Sequence, residues 1–182
     1  VDGTVYQSEW SRSQCIEQGI DKKNKQVVIH NAPDPLIFYP PEKRRKSKKT
    51  RLIGVSWSTN ERKGFDIYKY LDDYLDFSKY SFTFIGKSPI KFYNIKHKPT
   101  MVSEKLADEL RKHDLFVHAS YMESCSNSLI EAMNCGLVPV AMNNTSHPEI
   151  IQQPGLFFNG KKDILTVIEQ VSGKIEAFRE SM

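Results

Sequence analysis

From Arg51 onward the chain alternates short apolar bursts with longer amphipathic stretches, separated by turn residues. RLIGVSW (51–57) reads as a buried strand, and FDIYKYLDDYLDF (65–77) repeats its apolar positions at helical spacing. SFTFIG (81–86) predicts a strand closed by glycine, and SEKLADELRKH (103–113) a helix capped by Ser103. DLFVHA (114–119) reads as a strand, SLIEAMNCG (128–136) as a helix stopped by Gly136, and LVPVAM (137–142) as another strand. A short helix near HPEII, a short strand GLFF (155–158) and a last helix from about Lys162 to Phe178 complete the series.

Strand and helix alternating in this way predict an α/β fold, a doubly wound parallel sheet of Rossmann-like type with helices on both faces. The uninterrupted apolar character of FVHA and LVPVA fits strands buried on both sides. Ligands of such sheets bind outside the carboxyl ends of the strands. Chemistry is therefore sought in loops 57–64, 86–100, 119–127 and 143–147. Residues 1–42 stand outside the alternation, as the tail of a preceding domain followed by a connector. VDGTVYQSEWSRSQCIEQGI reads as a strand tail and a helix, while Pro33, Pro35, Pro40 and Pro41 exclude a helix from the connector. A basic linker, 43–50, then leads into the sheet domain, 51–182.

Composition adds bounds. No apolar run approaches the roughly 18 residues that cross a bilayer, and no signal-peptide pattern opens the chain. It starts at Val1 and not at methionine, so either a processed product or a segment cut from a longer protein is expected. Cys15, Cys125 and Cys135 make an odd count without a C-x-x-C, which points away from a disulfide framework or a zinc site and toward the cytoplasm. Much of the net charge of +4 lies in KRRKSKKTR (43–51). Such a run is a solvated linker, a contact for an anionic membrane surface, which would make the protein peripheral, or a localisation signal. No aromatic residue interleaves it to stack on bases, so no nucleic-acid partner is expected.

The densest chemistry lies in ESCSNSLIEAMNCGLVPVA (123–141), where Glu123 and Glu131 stand eight apart. Glu9 and Glu17 repeat that separation, so the spacing alone carries nothing. Context does. The loop after strand 114–119 runs straight into a helix, whose free N–H groups near Asn127 and Ser128 suit a phosphate. The two carboxylates flanking that point suit sugar hydroxyls. A competing reading makes Ser128-Leu129-Ile130-Glu131 a capping box, leaving Glu131 no ligand role; a cap at Ser126 would free it. Lys63, just before Gly64 at a strand's carboxyl end, is a point charge suited to phosphate oxygens, and Arg62 beside it either substitutes or points outward. Cys125 beside a helix start is a candidate for a lowered pKa or simply a small loop residue. His118, in an apolar strand, reads as a satisfied core residue. His147, in TSHPE, is the better ligand candidate, unless it or Ser146 caps the following helix. His30, His97 and His113 have no partner at metal spacing, so no metal site is expected.

These residues carry a resemblance. ESCSNSLIEAMNCGLVPVA is similar to the E-x7-E motif and its E-A-M-x-C-G-x-P-V-V-A continuation in retaining glycosyltransferases of family 4, which have the two-domain GT-B architecture; here the Pro and first Val are displaced by one. VYQSEWSRS with VVIHNAPDPLIFYP resembles the Q-S-x-x-x-R segment and I-x-N-G-V-D-x-x-x-F-x-P connector of that family, and NERKGFDIYKYLD its K-G region. The resemblance implies the C-terminal, donor-binding domain, with a nucleotide-diphosphate sugar as donor substrate and no other cofactor. Glu123 would contact the transferred sugar and Glu131 the ribose. Ser126, Asn127 and Ser128 would hold the diphosphate and Lys63 would neutralise it as it leaves. Asn143 and Asn144 would lie near the donor. A glycan or lipid-linked acceptor and the N-terminal acceptor domain, absent from this chain, are the implied partners; without that domain the fragment should bind donor and scarcely turn it over. One departure is prominent: where many members carry an arginine six residues before the lysine, this chain has Trp57. A nucleotide-sugar epimerase of the same architecture, and a non-catalytic anion-binding module using 43–51, are the alternatives.

Overall fold

The computed structural model describes residues 2–20, 25–44 and 47–181. Near the N-terminus β1 (Gly3–Tyr6) and β2 (Lys25–Val28) pair in parallel, with α1 (Glu9–Glu17) between them in sequence. The connector reading missed β2, because KQVV is too short and too polar to announce a strand by itself. From residue 50 a second sheet begins. Its strands are β3 (Thr50–Ser56), β4 (Tyr80–Gly86), β5 (Lys96–Lys98), β6 (Leu115–His118), β7 (Val138–Met142) and β8 (Phe157–Phe158).

All neighbouring pairs are parallel, in the order β5-β4-β3-β6-β7-β8. Counted within the domain, this is third, second, first, fourth, fifth, sixth, the doubly wound Rossmann order. Chain direction across the sheet reverses between β3 and β6, and the crevice of such a sheet opens at the carboxyl ends of those two strands. β3 and β6 are buried along most or all of their length, as their apolar sequences predict. The helices are α2 (Phe65–Tyr74), α3 (Ser103–Leu110), α4 (Asn127–Asn134), α5 (His147–Ile151), α6 (Ile164–Ser172) and α7 (Ile175–Glu180). Phe84, Phe116, Leu52, Ile53 and Tyr68 are among the side chains sealed between the layers.

Four boundaries differ from the sequence reading, each for a local reason. Helix α2 stops at Tyr74 because Asp76 makes a turn instead: its side chain accepts from the Ser78 amide and its carbonyl from Tyr80. Ser103 is the first residue of α3 and not its cap, a position held by Val102 without a side-chain bond. That helix ends at Leu110, where the His113 ring bonds the Glu109 carbonyl and the chain leaves the helical path. The expected last helix is two, α6 and α7, parted at Gly173 and Lys174.

The basic run is partly built into the fold. The Arg44 guanidinium donates to the carbonyls of His113, Cys135 and Gly136, and Arg51 makes a two-pronged bond to Asp114. Lys43 and Lys48 face solvent. Arg45 and Lys46 lie outside the described residues. Among the described residues no helix is long and apolar enough to cross a membrane.

Candidate functional site

A cavity of about 350 Å³ opens between the carboxyl ends of β3 and β6, where the strand order reverses. Ser56, Trp57 and Ser58 line one side; His118 and Ser120 line the other; Glu123 and the start of α4 close it. Lys63, Glu123, Ser126, Asn127, Ser128 and Glu131, far apart in sequence, all line this one space.

Lys63 is delivered by a short 3-10 turn, Glu61–Lys63, that packs against the end of β6. The Arg62 carbonyl accepts from the Tyr121 amide at 2.7 Å and the Ser120 hydroxyl at 3.1 Å. Gly64 follows at φ 73°, and a Cβ there would stand 2.0 Å from the Ala119 carbonyl oxygen. Only glycine permits that approach. The Lys63 ammonium then reaches Glu123 Oε1 at 2.5 Å, with both side chains mostly buried. Arg62 turns the other way, its guanidinium at 3.3 Å from Met122 Sδ, and does not line the cavity. Of the two openings left for it by the sequence, the outward one is taken.

Helix α4 begins at Asn127 with Ser126 as its cap, the Ser126 hydroxyl accepting from the Leu129 amide. The S-x-x-E reading of Ser128 and Glu131 is therefore corrected: Ser126 takes the capping role two residues earlier. The amides of Asn127 and Ser128, at the positive end of the helix, are unpaired first-turn donors of the kind that hold anions. Glu131, half-buried, has no hydrogen-bond partner, and burial alone pushes its carboxyl above the usual carboxylate range. It also lines a second cavity of about 480 Å³, together with Asn31, Asp34, Phe38 and Ser103. A carboxylate with free lone pairs thus stands between two spaces.

The connector is fastened to this helix start. Asn31 donates to Asn127 Oδ1 at 2.7 Å and to the Cys125 carbonyl at 3.2 Å. Glu149 of α5 accepts from the amides of Glu9 and Trp10 and lies 2.5 Å from His30 Nε2. Those contacts seat the N-terminal residues against the large sheet.

Several candidates stand elsewhere. Asn143 is exposed and donates to Asn159, while Asn144 donates to the Tyr121 carbonyl; neither lines the cavity. Burial pushes the Cys125 thiol above its ordinary value, the opposite of the lowered pKa considered for it. His147 is fully buried as the first residue of α5, with Nδ1 bonded to the Met142 carbonyl, and is out of the cavity's reach. Ser146 precedes that helix without capping it and donates to the Glu123 carbonyl. His118 corrects the satisfied-core reading. It is buried, yet neither ring nitrogen has a partner. Sequence could place it in an apolar strand but could not show that its ring ends beside Glu123, 3.9 Å from Nε2. Trp57, the residue in place of an arginine, lines the cavity with its indole about half-exposed. Among the described residues the charged lining is then Lys63 against Glu123 and Glu131. Among the described residues no three His, Cys, Asp or Glu side chains converge on a metal position.

Comparison with known proteins places this geometry. The family model of glycosyl transferases group 1 matches residues 76–173. Sucrose-phosphate synthase from Thermosynechococcus elongatus is similar in structure, with a TM-score of 0.79 at 15% identity over 98% of this chain and 51% of that one. The pneumococcal O-GlcNAc transferase GtfA, solved with UDP and GlcNAc, gives a TM-score of 0.78 at 17% identity, covering 100% of this chain and 40% of that one. The C-terminal domain of LpcC, a glycosyl transferase group 1 family protein from Francisella tularensis, gives 0.64 at 18% identity over 81% and 91% of the two chains. The chain thus spans about half the length of the first of these proteins and less of the second. Among curated proteins no sequence match is found. The structural likeness is one of fold, the Rossmann-like half of the GT-B architecture. The family match covers more than half of the residues and includes the α4 helix start with both glutamates, and on that ground the chain belongs to the glycosyl transferases group 1.

Proposed function

We propose that this chain is the donor-binding domain of a retaining glycosyltransferase, which passes a sugar from a nucleotide-diphosphate sugar to a glycan or lipid-linked acceptor. One observation carries the reading: at the reversal point of the sheet, a lysine, unpaired helix amides and a partner-free carboxylate line one cavity. The diphosphate lies against the amides of Asn127 and Ser128 with Lys63 as counter-charge. The sugar lies toward Glu123. Glu131, between the two cavities, receives the ribose hydroxyls, and the nucleoside extends into the second space.

Bond cleavage leaves negative charge on the departing diphosphate. Lys63 and the positive end of α4 stabilise that charge, a pre-organised electrostatic contribution of about 3 kcal/mol for each such donor. The other half of the enzyme would pack against β1 and β2, where Val5, Val27 and Ile29 are about half or more exposed. Without it the chain binds donor and turns it over poorly.

The test is calorimetric titration of UDP, GDP and ADP into the chain and its Lys63→Ala and Glu131→Ala variants. One nucleotide should bind preferentially, weakened about tenfold or more in each variant, as expected for lost charged hydrogen bonds. Equal affinity of the unmutated chain and both variants for every nucleotide would sink the reading.

A further inference from the structure

Glu123 is held in a way that conflicts with a ligand-binding lysine. Its carboxylate is only 14% exposed, and its charge partner is Lys63, at 2.5 Å. A lysine drawn to a phosphate leaves that carboxylate buried and uncompensated, a strongly unfavourable arrangement. The backbone of Glu123 cannot follow the lysine, because Ser146 of the α5 entry holds its carbonyl at 3.0 Å. The side chain alone is free to turn.

What it can turn to is already in place. His118 Nε2 lies 3.9 Å from Glu123 Oε1, about 1 Å beyond hydrogen-bond reach. Both nitrogens of that ring are buried without a partner, an arrangement that native interiors rarely leave standing. The ring cannot drift: it stacks on Phe116 and meets His147 edge-on at 4.8 Å. The groups facing it are Lys63 from the 3-10 turn, Glu123 from the loop, His147 from α5, and Tyr68 from α2, whose hydroxyl is committed to the Val117 carbonyl. His147 gives its Nδ1 to the Met142 carbonyl, so its Nε2, buried without a partner, is the other acceptor beside the His118 ring, and Glu123 is the one acceptor there that carries charge.

We propose that His118 is a positioning residue, the waiting second partner of Glu123: when Lys63 leaves for an anion in the cavity, Glu123 turns to the His118 ring and stays fixed there. This rests on reading the cavity as the donor site. The exchange lets one carboxylate neutralise the empty site and then present its other oxygen to the bound sugar. Burial, the neighbouring His147 and the Lys63 charge all hold His118 neutral in the empty site. Departure of the lysine removes one of those influences and brings a carboxylate into contact.

The test needs no ligand in its first arm. Histidine ring titration by nuclear magnetic resonance is compared in the unmutated chain, in Lys63→Met, and in Lys63→Met with Glu123→Gln. In Lys63→Met the His118 ring should titrate about one to three pH units higher, as for an opposite charge brought within contact, and most of that rise should vanish when Glu123→Gln is added. An unmoved ring overturns the proposal, as does a rise that survives Glu123→Gln. The second arm measures UDP affinity. His118→Phe should weaken it about tenfold and His118→Gln should restore most of it, whereas His118→Phe should change nothing in a Glu123→Gln background. Equal losses in both backgrounds would make His118 merely structural. Failure of the unmutated chain to bind UDP would count against the donor reading, while the ring titration would still decide the role of His118.

Discussion

Gly64→Ala is the sharpest perturbation of the site, because one methyl group acts on two connected elements. The added Cβ would lie 2.0 Å from the Ala119 carbonyl oxygen and 2.7 Å from its carbon, both backbone atoms that cannot rotate away. Relief requires the Lys63 turn and β6 to part by more than about 1 Å. At that separation the bonds from Tyr121 and Ser120 to the Arg62 carbonyl are lost or badly stretched. Three contributions then add: about 1 kcal/mol for alanine at positive φ, about 1–3 kcal/mol for overpacking, and about 1 kcal/mol for weakened hydrogen bonds. The total, about 4 kcal/mol, corresponds to a fall in Tm on the order of 10 °C for a chain of this size. Gly19→Ala separates the contributions, since Gly19 has φ 82° with nothing within 4 Å of the added carbon. That control should lose only the conformational part, about 1 kcal/mol. Urea and thermal unfolding of both variants, read by circular dichroism, gives the comparison. Equal losses would refute the claim that close approach, and not glycine's conformational freedom, places Lys63.

Asp72, fully buried on α2, accepts the amides of Tyr93, Asn94 and Ile95 at 2.8–2.9 Å; Asp72→Ala should cost about 3–5 kcal/mol by urea unfolding, since three charge-assisted bonds are lost and the Ile95 amide is stranded. Hydrogen exchange at 93–95 should quicken in the folded Asp72→Ala variant, and unchanged exchange would contradict the assigned role. Glu131→Gln should strengthen the fold at pH 7 while weakening the preferred nucleotide about tenfold or more. The sign follows from a carboxyl raised by burial: the folded state holds its proton to higher pH than the unfolded chain, so stability falls as pH rises between those two values and the penalty is complete above them. A urea midpoint at pH 7 that drops in Glu131→Gln would reverse that argument. His113, His118 and His147 are all depressed by burial from the ordinary 6.5, so the unfolded chain takes up protons that the folded one refuses. Stability is complete above that value and should fall as pH drops below it, by up to about 1.4 kcal/mol per pH unit for each ring; unfolding free energies flat between pH 7 and 5 would exclude this.

The sheet was legible because its strands are buried on both faces and leave continuous apolar runs that no neighbouring element can disguise. RLIGVSW and FVHA show this plainly. Strand β5, KHK, was invisible for the opposite reason: it is an exposed edge strand, held by backbone bonds to β4 that no side-chain pattern reports. The site was legible where local chain geometry sets it. Lys63 before Gly64 and the hydroxyl-rich entry to α4 both sit at strand ends, and they meet. It was illegible where tertiary approach decides. Nothing in the spacing of Arg62 and Lys63 says which of the two faces the cavity; the grip of Tyr121 and Ser120 on the Arg62 carbonyl does. Likewise S-x-x-E fits a capping box at Ser128 until the helix is seen to begin two residues earlier than that box requires, at Asn127, capped by Ser126.

On the proposed reading, the Lys63–Glu123 pair decides what kind of anion site the cavity makes. In an open phosphate cradle the cation faces solvent and binding adds a new interaction. Here Lys63, the one cation among the described residues that line the cavity, is already neutralised, and the lining carries two carboxylates against it. Trp57 contributes an indole face but no charge. Binding of a diphosphate on the proposed reading is therefore an exchange: it gains Lys63 and the α4 amides and loses the ion pair. The ion-pair part of that exchange gives a bare phosphate little net affinity, because the Coulomb gain of one contact is offset by the loss of another. On the proposed reading, affinity then comes from groups whose partners are not lost on binding. The α4 amides are such groups, Glu131 with its free lone pairs is another, and the second cavity beyond it is a third. A bare phosphate would meet only the amides, whereas a ligand long enough to reach Glu131 as well as Lys63 would recover more of the free energy of separating the pair.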